Sequence, residues 1–530
     1  MPHPGIMMKG GLAGRVSSLD NQPASGVNSS QTVARNSFWY GLELLFGVVG
    51  AFFTSVVVAN VIGPERLATF SYVFWLTNIT TAAGSFGMPV TIKKYMAEYL
   101  SRGEPDVAHA IYNAALKVQL AIAAAITVAA LVLVLGWGDK GSRVISVLLV
   151  MSIAPRMIGL VASNANNAAE ALRRNTVPSL IGAAFNIVFT LFSLWVGWGL
   201  VGVATGYAGG ATLEAVLKLI GVRKMLSPIP VGKISPELKK RMYAYSGQGL
   251  ALLVLNMVVW DKSDIAVLRF MNHDPRQITF FSIAFNISER LLMIPTAFGG
   301  SLNVTIMAQY GRGEERLRNL TITGAKYAFL LAVPLLVGVA SISGPLVSLL
   351  YNEKYQAMIP VLEIAAGLAI SKAMMYPPSA LLQATENQGF LIWVGCVCGA
   401  LDIGLDFLLT PAHGAAGAAL ANGLAQTAAT IAIWMRVRHV FHTDLRLAEF
   451  GRIALSGAAM AAVVVPVGRL IPGHAGLAAA ILCGALVWCG MLRITGALDK
   501  ADRERFGHLS RTLPGSMQPL FTRLVGWLAA

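Results

Sequence analysis

The chain has 530 residues, of which 55% are hydrophobic and only 13% are charged. A soluble domain carries about 25% charged residues, so this composition excludes an ordinary soluble protein and predicts a polytopic membrane protein. The net charge of +15 comes mainly from residues between apolar segments, which indicates membrane topology rather than nucleic-acid binding. All four cysteines lie within apolar segments, and we expect them to be packing residues, with no metal site and no disulfide.

The N-terminal residues 1–34 are rich in Gly, Ser and Asn and lack the apolar core of a cleavable signal peptide. We expect them to form a disordered cytoplasmic tail. Fourteen apolar stretches follow, each long enough to cross a bilayer as a helix of about 20 residues. They cover residues 38–60, 67–89, 108–136, 142–168, 175–198, 200–222, 243–269, 277–301, 320–341, 357–383, 388–410, 415–436, 451–471 and 474–495.

Basic residues between the spans predict the topology. Lys and Arg concentrate in alternate connections, and the connections on the other side hold only Arg66, Lys140, Arg143, Arg276, Lys354 and Arg469. Because basic residues favour the cytoplasmic side, both termini are predicted to be cytoplasmic. The predicted domains are a first six-helix lobe (35–222), a basic cytoplasmic linker (223–242), a second six-helix lobe (243–436), transmembrane helices 13 and 14 (451–495) and a cytoplasmic tail (496–530).

The connections between the spans are short on both sides. A glycan polymerase or ligase would need a sizeable external loop with catalytic residues, and none is present. The cytoplasmic connections contain no GxxxxGK motif followed by Ser or Thr and no GxGxxG motif, which disfavours a nucleotide-driven pump or a cofactor enzyme. We therefore expect a protein that is not an enzyme and has no cofactor.

An internal repeat joins residues 68–99 to residues 279–310 at a constant offset. Phe70 and Phe74 of the first copy correspond to Phe281 and Phe285 of the second, and both copies run into Arg-Gly-Glu. A second similarity relates GLVGVATG at 199–206 to GAAGAALA at 414–421. Six spans separate the copies, so both enter the membrane in the same direction. The repeat predicts two parallel lobes related by an axis along the membrane normal, with a site between them.

Three segments resemble a known family. RNSFWYGLELLFGVVGAFFTSVVVANVIGPERLATFSYVF (35–74), KKYMAEYLSRGE (93–104) and GAAGAALANGLAQ (414–426) are similar to the polysaccharide transporters, the Wzx-type flippases. This family belongs to a superfamily that includes the MurJ-type lipid II flippases and the MATE drug/cation antiporters. The resemblance covers residues 35–436, and spans 13 and 14 fit the fourteen-helix members in number only.

The resemblance implies alternating access and transport of a polyprenyl-diphosphate-linked glycan across the bacterial inner membrane, for exopolysaccharide, capsule or O-antigen assembly. Partners would be the lipid-linked glycan, membrane lipids and the polymerase and export machinery of such a pathway. A lipid II flippase is the nearest alternative. A MATE antiporter is less favoured, because its cationic substrates need a mainly acidic site and this interior is about as basic as acidic.

Ionisable residues inside spans indicate functional positions, because a charge in the bilayer is costly. Arg156 lies near mid-membrane, where a guanidinium could hold a diphosphate bidentately; the alternative is an ion pair with a carboxylate on a neighbouring helix. Lys372 and Tyr376 share one helix face, which predicts a cavity wall or, alternatively, a polar seam between helices. The full set of predicted substrate-cavity residues is Arg156, Arg290, Lys372, Tyr376, Lys117 and Lys262.

Carboxylates within the spans are candidates for coupling to an H⁺ or Na⁺ gradient or to the membrane potential. They are Asp264, four residues after Trp260, Asp402, four residues before Asp406, and Glu43 in the first span. The alternative for the aspartates is pairing with Lys262, Arg269 or another basic residue. The alternative for Glu43 is pairing with Lys117 or Lys326.

Two adjacent charges, Glu289 and Arg290, lie in the middle of the eighth span. In the first copy of the repeat their positions hold the uncharged Asn78 and Ile79. Neighbouring side chains on a helix point about 100° apart, so the two cannot face one direction. We expect Arg290 to face the substrate path and Glu289 to meet a cation on a neighbouring helix.

Overall fold

The computed structural model describes residues 46–260, 263–271, 274–308, 314–385, 387–442, 446–471, 473–510 and 518–528. These residues form helices joined by short connections, and no strand occurs among them. The predicted tail 1–34 lies outside the described residues, as do the candidate site residues Glu43 and Lys262.

Nineteen α-helices follow one another in the described residues. They are α1 (Phe46–Ile62), α2 (Pro64–Gly84), α3 (Met88–Ser101), α4 (Pro105–Trp137), α5 (Arg143–Met151), α6 (Ile153–Ala168), α7 (Arg173–Val196), α8 (Gly199–Leu226), α9 (Pro236–Trp260), α10 (Asp264–Met271), α11 (Arg276–Ala308), α12 (Glu314–Ser341), α13 (Ser343–Leu350), α14 (Ile359–Ala384), α15 (Gln388–Phe441), α16 (Leu447–Leu470), α17 (Gly473–Thr495), α18 (Lys500–Ser510) and α19 (Gln518–Leu528). A 3₁₀-helix, Glu353–Met358, precedes α14.

Long apolar helices dominate the chain. Ten helical segments of the described residues are long and apolar enough to cross a membrane. One of them, the 54-residue α15, is bent at Gly414, whose φ of 55° and ψ of −132° are not helical. The predicted all-helical membrane fold is therefore confirmed, whereas the count of fourteen spans stays a prediction.

The predicted seventh span, 243–269, is not one continuous helix. Helix α9 ends at Trp260, Ser263 lies in a turn, and α10 begins at Asp264. Trp260 and Asp264, which the sequence places four residues apart on this span, therefore belong to two different helices. The break leaves Asp264 at the beginning of a short, separate helix.

The chain divides into two compact units. The first comprises, among the described residues, 46–58 and Leu76–Leu253, and the second comprises Ala59–Trp75 and the described residues from Val254 onwards. The division passes through α2 and α9 rather than between predicted spans. The linker at 223–242 lies within the first unit.

The first unit is built on α3, α4, α6, α7 and α8. Its core contains Ile92, Met96, Val161 and Val222, all almost completely buried. The predicted linker packs against the start of α4, where the Gly232 amide donates to the Asp106 carbonyl at 2.8 Å.

The second unit packs α11, α12, α14 and α15 together and adds α16 and α17 against α12. The sequence predicts only a cytoplasmic tail over 496–530, but helices α18 and α19 of this segment pack against the other helices of the second unit. Helix α19 packs against α17, where the Arg493 guanidinium donates to the Trp527 carbonyl at 2.8 Å. The terminal segment is helical over Gln518–Leu528.

Candidate functional site: buried carboxylates and cations

Three aspartates of the second unit come together in its interior. Asp264, Asp402 and Asp406 each offer a carboxylate oxygen, and these oxygens lie within 4.8 Å of one another. All three residues are at most 1% exposed. The cluster is the densest group of acidic side chains among the residues described.

The fold, rather than the local sequence, brings these carboxylates together. Asp264 begins α10, and α10 packs against α15. Asp402 and Asp406 lie one helical turn apart on α15 before its bend. The bend at Gly414 lets the second arm of the same helix supply Asn422, whose amide donates to Asp264 Oδ2 at 3.2 Å.

The hydrogen bonds around the cluster are incomplete. Thr410 donates to Asp406 Oδ1 at 3.2 Å, and Ser263 and Asn422 lie close to the Asp402 carboxylate, but Oδ1 of Asp264 has no hydrogen-bond partner in the described residues. Buried carboxylates this close cannot all be ionised without a compensating positive charge. The arrangement can therefore accept a proton, or a small cation that prefers oxygen ligands.

The predicted alternative for these aspartates was pairing with a basic residue. No Lys or Arg of the described residues lies within 4.0 Å of them. Arg269, one of the expected partners, lies over the Tyr72 ring instead, 5.8 Å from its centroid. Pairing with Lys262 stays a prediction, because Lys262 lies outside the described residues.

A separate polar group of the second unit contains Lys372. Its Nζ lies 2.7 Å from Glu289 Oε1, between helices α14 and α11. The prediction that Glu289 meets a cation on a neighbouring helix is confirmed. Lys372 is buried, with its side chain 8% exposed, whereas the Glu289 side chain is 38% exposed.

Aromatic side chains accompany the charges in this group. The Tyr376 phenol interacts electrostatically with Glu289, and Lys372 Nζ lies 5.9 Å from the Phe285 ring centroid. The Arg290 guanidinium interacts with the Tyr351 phenol. Arg290 therefore points to a different neighbour from Glu289, as the helix geometry predicts.

Arg156 belongs to the first unit. Its guanidinium lies 5.5 Å from the Tyr207 ring centroid, and its buried Nη1 has no hydrogen-bond partner among the described residues. No carboxylate of those residues lies within 4.0 Å of it, so Arg156 forms no ion pair within the described part of the chain. The nearby Glu214 pairs instead with Lys218, four residues along the same helix, at 2.5 Å.

The remaining candidate residues lie outside the aspartate cluster and the groups around Lys372 and Arg156. Lys117 is exposed. Lys326, proposed as an alternative partner of Glu43, pairs with Asp502 and Glu449 instead. Sequence reasoning missed Tyr207 and Asn422; the signal for Asn422 was a pair of amides, Asn422 and Gln426, within the Gly- and Ala-rich segment 414–426.

Comparison with known proteins identifies the family. A family model described as polysaccharide biosynthesis protein matches residues 33–306, just over half of the chain. The chain belongs to this family. It is also similar to the probable flippase AglR of Haloferax volcanii, with 22% identity over 332 residues, which cover 61% of this chain and 67% of that protein.

Two solved structures share the fold. A lipid II flippase MurJ in an inward closed conformation aligns with a TM-score of 0.69 and 15% identity, covering 86% of this chain and 98% of that chain. An inward-facing MATE family multidrug resistance transporter of the MOP superfamily aligns with a TM-score of 0.63 and 16% identity, covering 75% and 96%. Membership of the polysaccharide transporter family within the MATE/MurJ-like flippase superfamily is confirmed. The protein is a multi-pass membrane protein of the flippase type.

Proposed function

We propose that this protein translocates polyprenyl-diphosphate-linked oligosaccharide repeat units across the bacterial inner membrane by alternating access, for exopolysaccharide, capsule or O-antigen assembly. The match of residues 33–306 to the polysaccharide biosynthesis family carries the proposal. The glycan leaves with the same covalent bonds with which it entered, so the protein acts as a transporter and not as an enzyme.

Arg156 supports binding of an anionic diphosphate. A buried guanidinium nitrogen without an acceptor is costly in an apolar surrounding, and phosphate oxygens are strong acceptors for it. Within the second unit, Lys372 is a separate proposed contact for an anionic group of the substrate, which would replace part of its interaction with Glu289. Arg290, Tyr376 and Lys117 are further proposed substrate contacts, and Lys262 remains a candidate from the sequence.

The aspartate cluster supports coupling to a cation gradient. We assign Asp264 and Asp402 to the binding of H⁺ or Na⁺, with Asp406 in the same cluster and Glu43 as a further candidate in the first span. A membrane potential of 100 mV supplies about 2.3 kcal/mol per charge moved across the bilayer, which is enough to bias a transport cycle.

Complementation of a deletion strain tests the transport proposal. Arg156→Ala and Lys372→Met should abolish surface polysaccharide while the protein still inserts in the membrane, measured by glycan staining and by immunoblotting of membrane fractions. Arg469→Ala, an exposed arginine at the end of α16, is the matched control and should keep wild-type polysaccharide. Normal export by the Arg156 or Lys372 variant would remove that residue from the binding site.

Transport of lipid II is the alternative, favoured by the fold shared with the lipid II flippase structure. The two substrates separate in one experiment. If this protein is specific for oligosaccharide repeat units, its expression should not rescue cells depleted of their own lipid II flippase, and these cells should still lyse. Sustained growth and continued cell-wall synthesis would instead select lipid II.

We also propose that both termini are cytoplasmic and that the polymerase and export proteins of the same pathway are its partners. The concentration of Lys and Arg in alternate connections supports this orientation. A protease added to right-side-out cells should leave tags at both termini intact, and cleavage of either tag in intact cells would reverse the assignment.

A further inference from the structure

The helix after the last span is fastened to the second unit by buried charges. Lys326 Nζ on α12 lies 2.6 Å from Asp502 Oδ2 on α18 and 2.9 Å from Glu449 Oε2 on α16. Tyr327 adds a hydrogen bond from its hydroxyl to Asp502 Oδ1 at 2.6 Å. The side chains of Lys326 and Asp502 are only 5% and 1% exposed, so α18 is a fixed part of this unit.

Fixing α18 completes a cavity of ≈ 570 Å³ between α11, α12 and α18. Its apolar wall includes Phe298, Leu302, Leu320 and Phe506. The Tyr327 ring joins this wall, with its centroid 6.2 Å from that of Phe298 and 5.1 Å from that of Phe506. A wall of this kind suits a hydrocarbon chain.

The polar end of the cavity carries two arginines. Arg505 on α18 donates to Thr323 Oγ1 at 3.5 Å and lies 3.6 Å from Asp502, which holds its guanidinium at the cavity. Arg316 on the first turn of α12 is exposed and has no carboxylate within 4.0 Å in the described part of the chain. Glu315 and Asn319 also border the cavity, so its ionisable lining carries a net positive charge.

The cavity lies where an apolar span meets a basic segment. The apolar part of α12 runs from Glu315 to Ser341, and the residues 309–319 before and at its beginning contain three arginines. Lipid headgroups lie at this boundary between hydrocarbon and water, and basic residues there attract anionic lipids.

We propose that this cavity binds one anionic phospholipid. Its phosphate accepts hydrogen bonds from Arg316 and Arg505, its acyl chain lies along the apolar wall, and a headgroup hydroxyl reaches Glu315 or Asn319. A zwitterionic lipid matches the cavity less well, because it leaves the net positive lining uncompensated. Helix α18 thus becomes part of a lipid site, separate from the charges assigned to transport.

Native mass spectrometry of the full-length protein, purified in detergent and titrated with dioleoyl phosphatidylglycerol or dioleoyl phosphatidylcholine, tests the proposal. We expect a single phosphatidylglycerol to bind preferentially. Arg316→Gln and Arg505→Gln should each weaken it about tenfold or more, because each removes a charge-assisted hydrogen bond. Arg318→Gln, with the same change of charge two residues along α12 and outside the cavity lining, should bind like the wild type.

A variant that keeps every charge tests the cavity itself. Asn319→Trp should fill the polar end and abolish the bound phosphatidylglycerol, with an unchanged melting temperature as proof of folding. Arg316 lies outside the Lys326–Asp502 network, so its variant remains informative even if Arg505→Gln loosens α18. Equal binding of phosphatidylcholine, wild-type affinity in Arg316→Gln and Asn319→Trp, or an equal loss in Arg318→Gln would each overturn the proposal.

Discussion

The Lys372–Glu289 pair allows a prediction about stability and transport together. Removing one partner of a buried ion pair costs about 3–5 kcal/mol, because the other charge stays buried without compensation. Glu289→Met leaves Lys372, whose side chain is 8% exposed, whereas Lys372→Met leaves Glu289, which is 38% exposed and can be hydrated. We therefore expect Glu289→Met to lower the free energy of unfolding by about 3 kcal/mol and Lys372→Met by about 1 kcal/mol.

The double variant Glu289→Met/Lys372→Met should regain most of the loss, since it leaves no unpaired charge. Denaturant or thermal unfolding of the four purified proteins in one detergent measures the coupling. Arg102→Met, which breaks an exposed pair with Glu98 (50% and 24% exposed), is the control, with an expected effect of about 0–1 kcal/mol. Equal losses in the two single variants would refute the reasoning from exposure.

Transport by the double variant decides between the two interpretations of Lys372. If the pair is only a polar seam between α11 and α14, the stable double variant also regains polysaccharide export. If Lys372 binds the diphosphate, the double variant is stable and inactive. Export at the wild-type level would therefore contradict our assignment of Lys372 to the substrate.

Three further changes have defined outcomes. Asp402→Asn should abolish the dependence of transport on a Na⁺ or H⁺ gradient, and an unchanged dependence in vesicles would exclude the cluster as the coupling site. Burial alone would raise the pKa of Asp502, but hydrogen bonds from Lys326 and Tyr327 outweigh burial and lower this pKa. The ionised Asp502 carboxylate therefore stabilises the docked α18 above about pH 4, and this stabilisation is lost as the pH falls further. Protease cleavage of the C-terminal segment should therefore be slow at neutral pH and fast in Lys326→Met, and equal rates would contradict the docking role. Gly414→Ala should destabilise the protein by about 1–3 kcal/mol, because its φ of 55° is unfavourable with a Cβ, whereas Gly404→Ala, with open space around it on the same helix, should not.

Features encoded locally could be predicted from the sequence. Hydrophobic length predicts the ten long apolar helical segments of the described residues, because a span must satisfy its own backbone hydrogen bonds. The angle between adjacent helical residues separated Glu289 from Arg290, and the structure gives them different partners. The spacing of four between Glu214 and Lys218 likewise puts them on one face of α8, where they pair.

Features that depend on distant packing could not be predicted. Asp264 and Asp402 are 138 positions apart in the chain, and only the packing of α10 against α15 makes them neighbours. The break before Asp264, by contrast, lies next to four consecutive polar residues, DKSD at 261–264, so the local sequence does carry a signal for it. The docking of α18 depends on Lys326, which by sequence was a lone cation within a span and a candidate partner for Glu43.

The two copies of the internal repeat share one specific backbone feature. Gly199 and Gly414, which begin the similar segments at 199–206 and 414–421, have nearly the same positive φ, 56° and 55°. A shared left-handed glycine at equivalent positions supports duplication more strongly than apolar similarity does, because such a conformation has a specific local cause.

The two copies of the repeat differ at the point where the helix of the first copy is interrupted. Helix α2 ends at Gly84, Phe86 and Gly87 have positive φ, and α3 begins at Met88, whereas the corresponding region of α11 runs through Pro295 without a break. At Gly87 a Cβ would collide with the Ser246 carbonyl, and the Ser246 hydroxyl donates to the Phe86 carbonyl, so the break serves a close approach to α9 within the first unit. The charges Glu289 and Arg290 occur only in the unbroken copy, so the duplicated helix was fitted to backbone packing in one half and to intramembrane charge in the other.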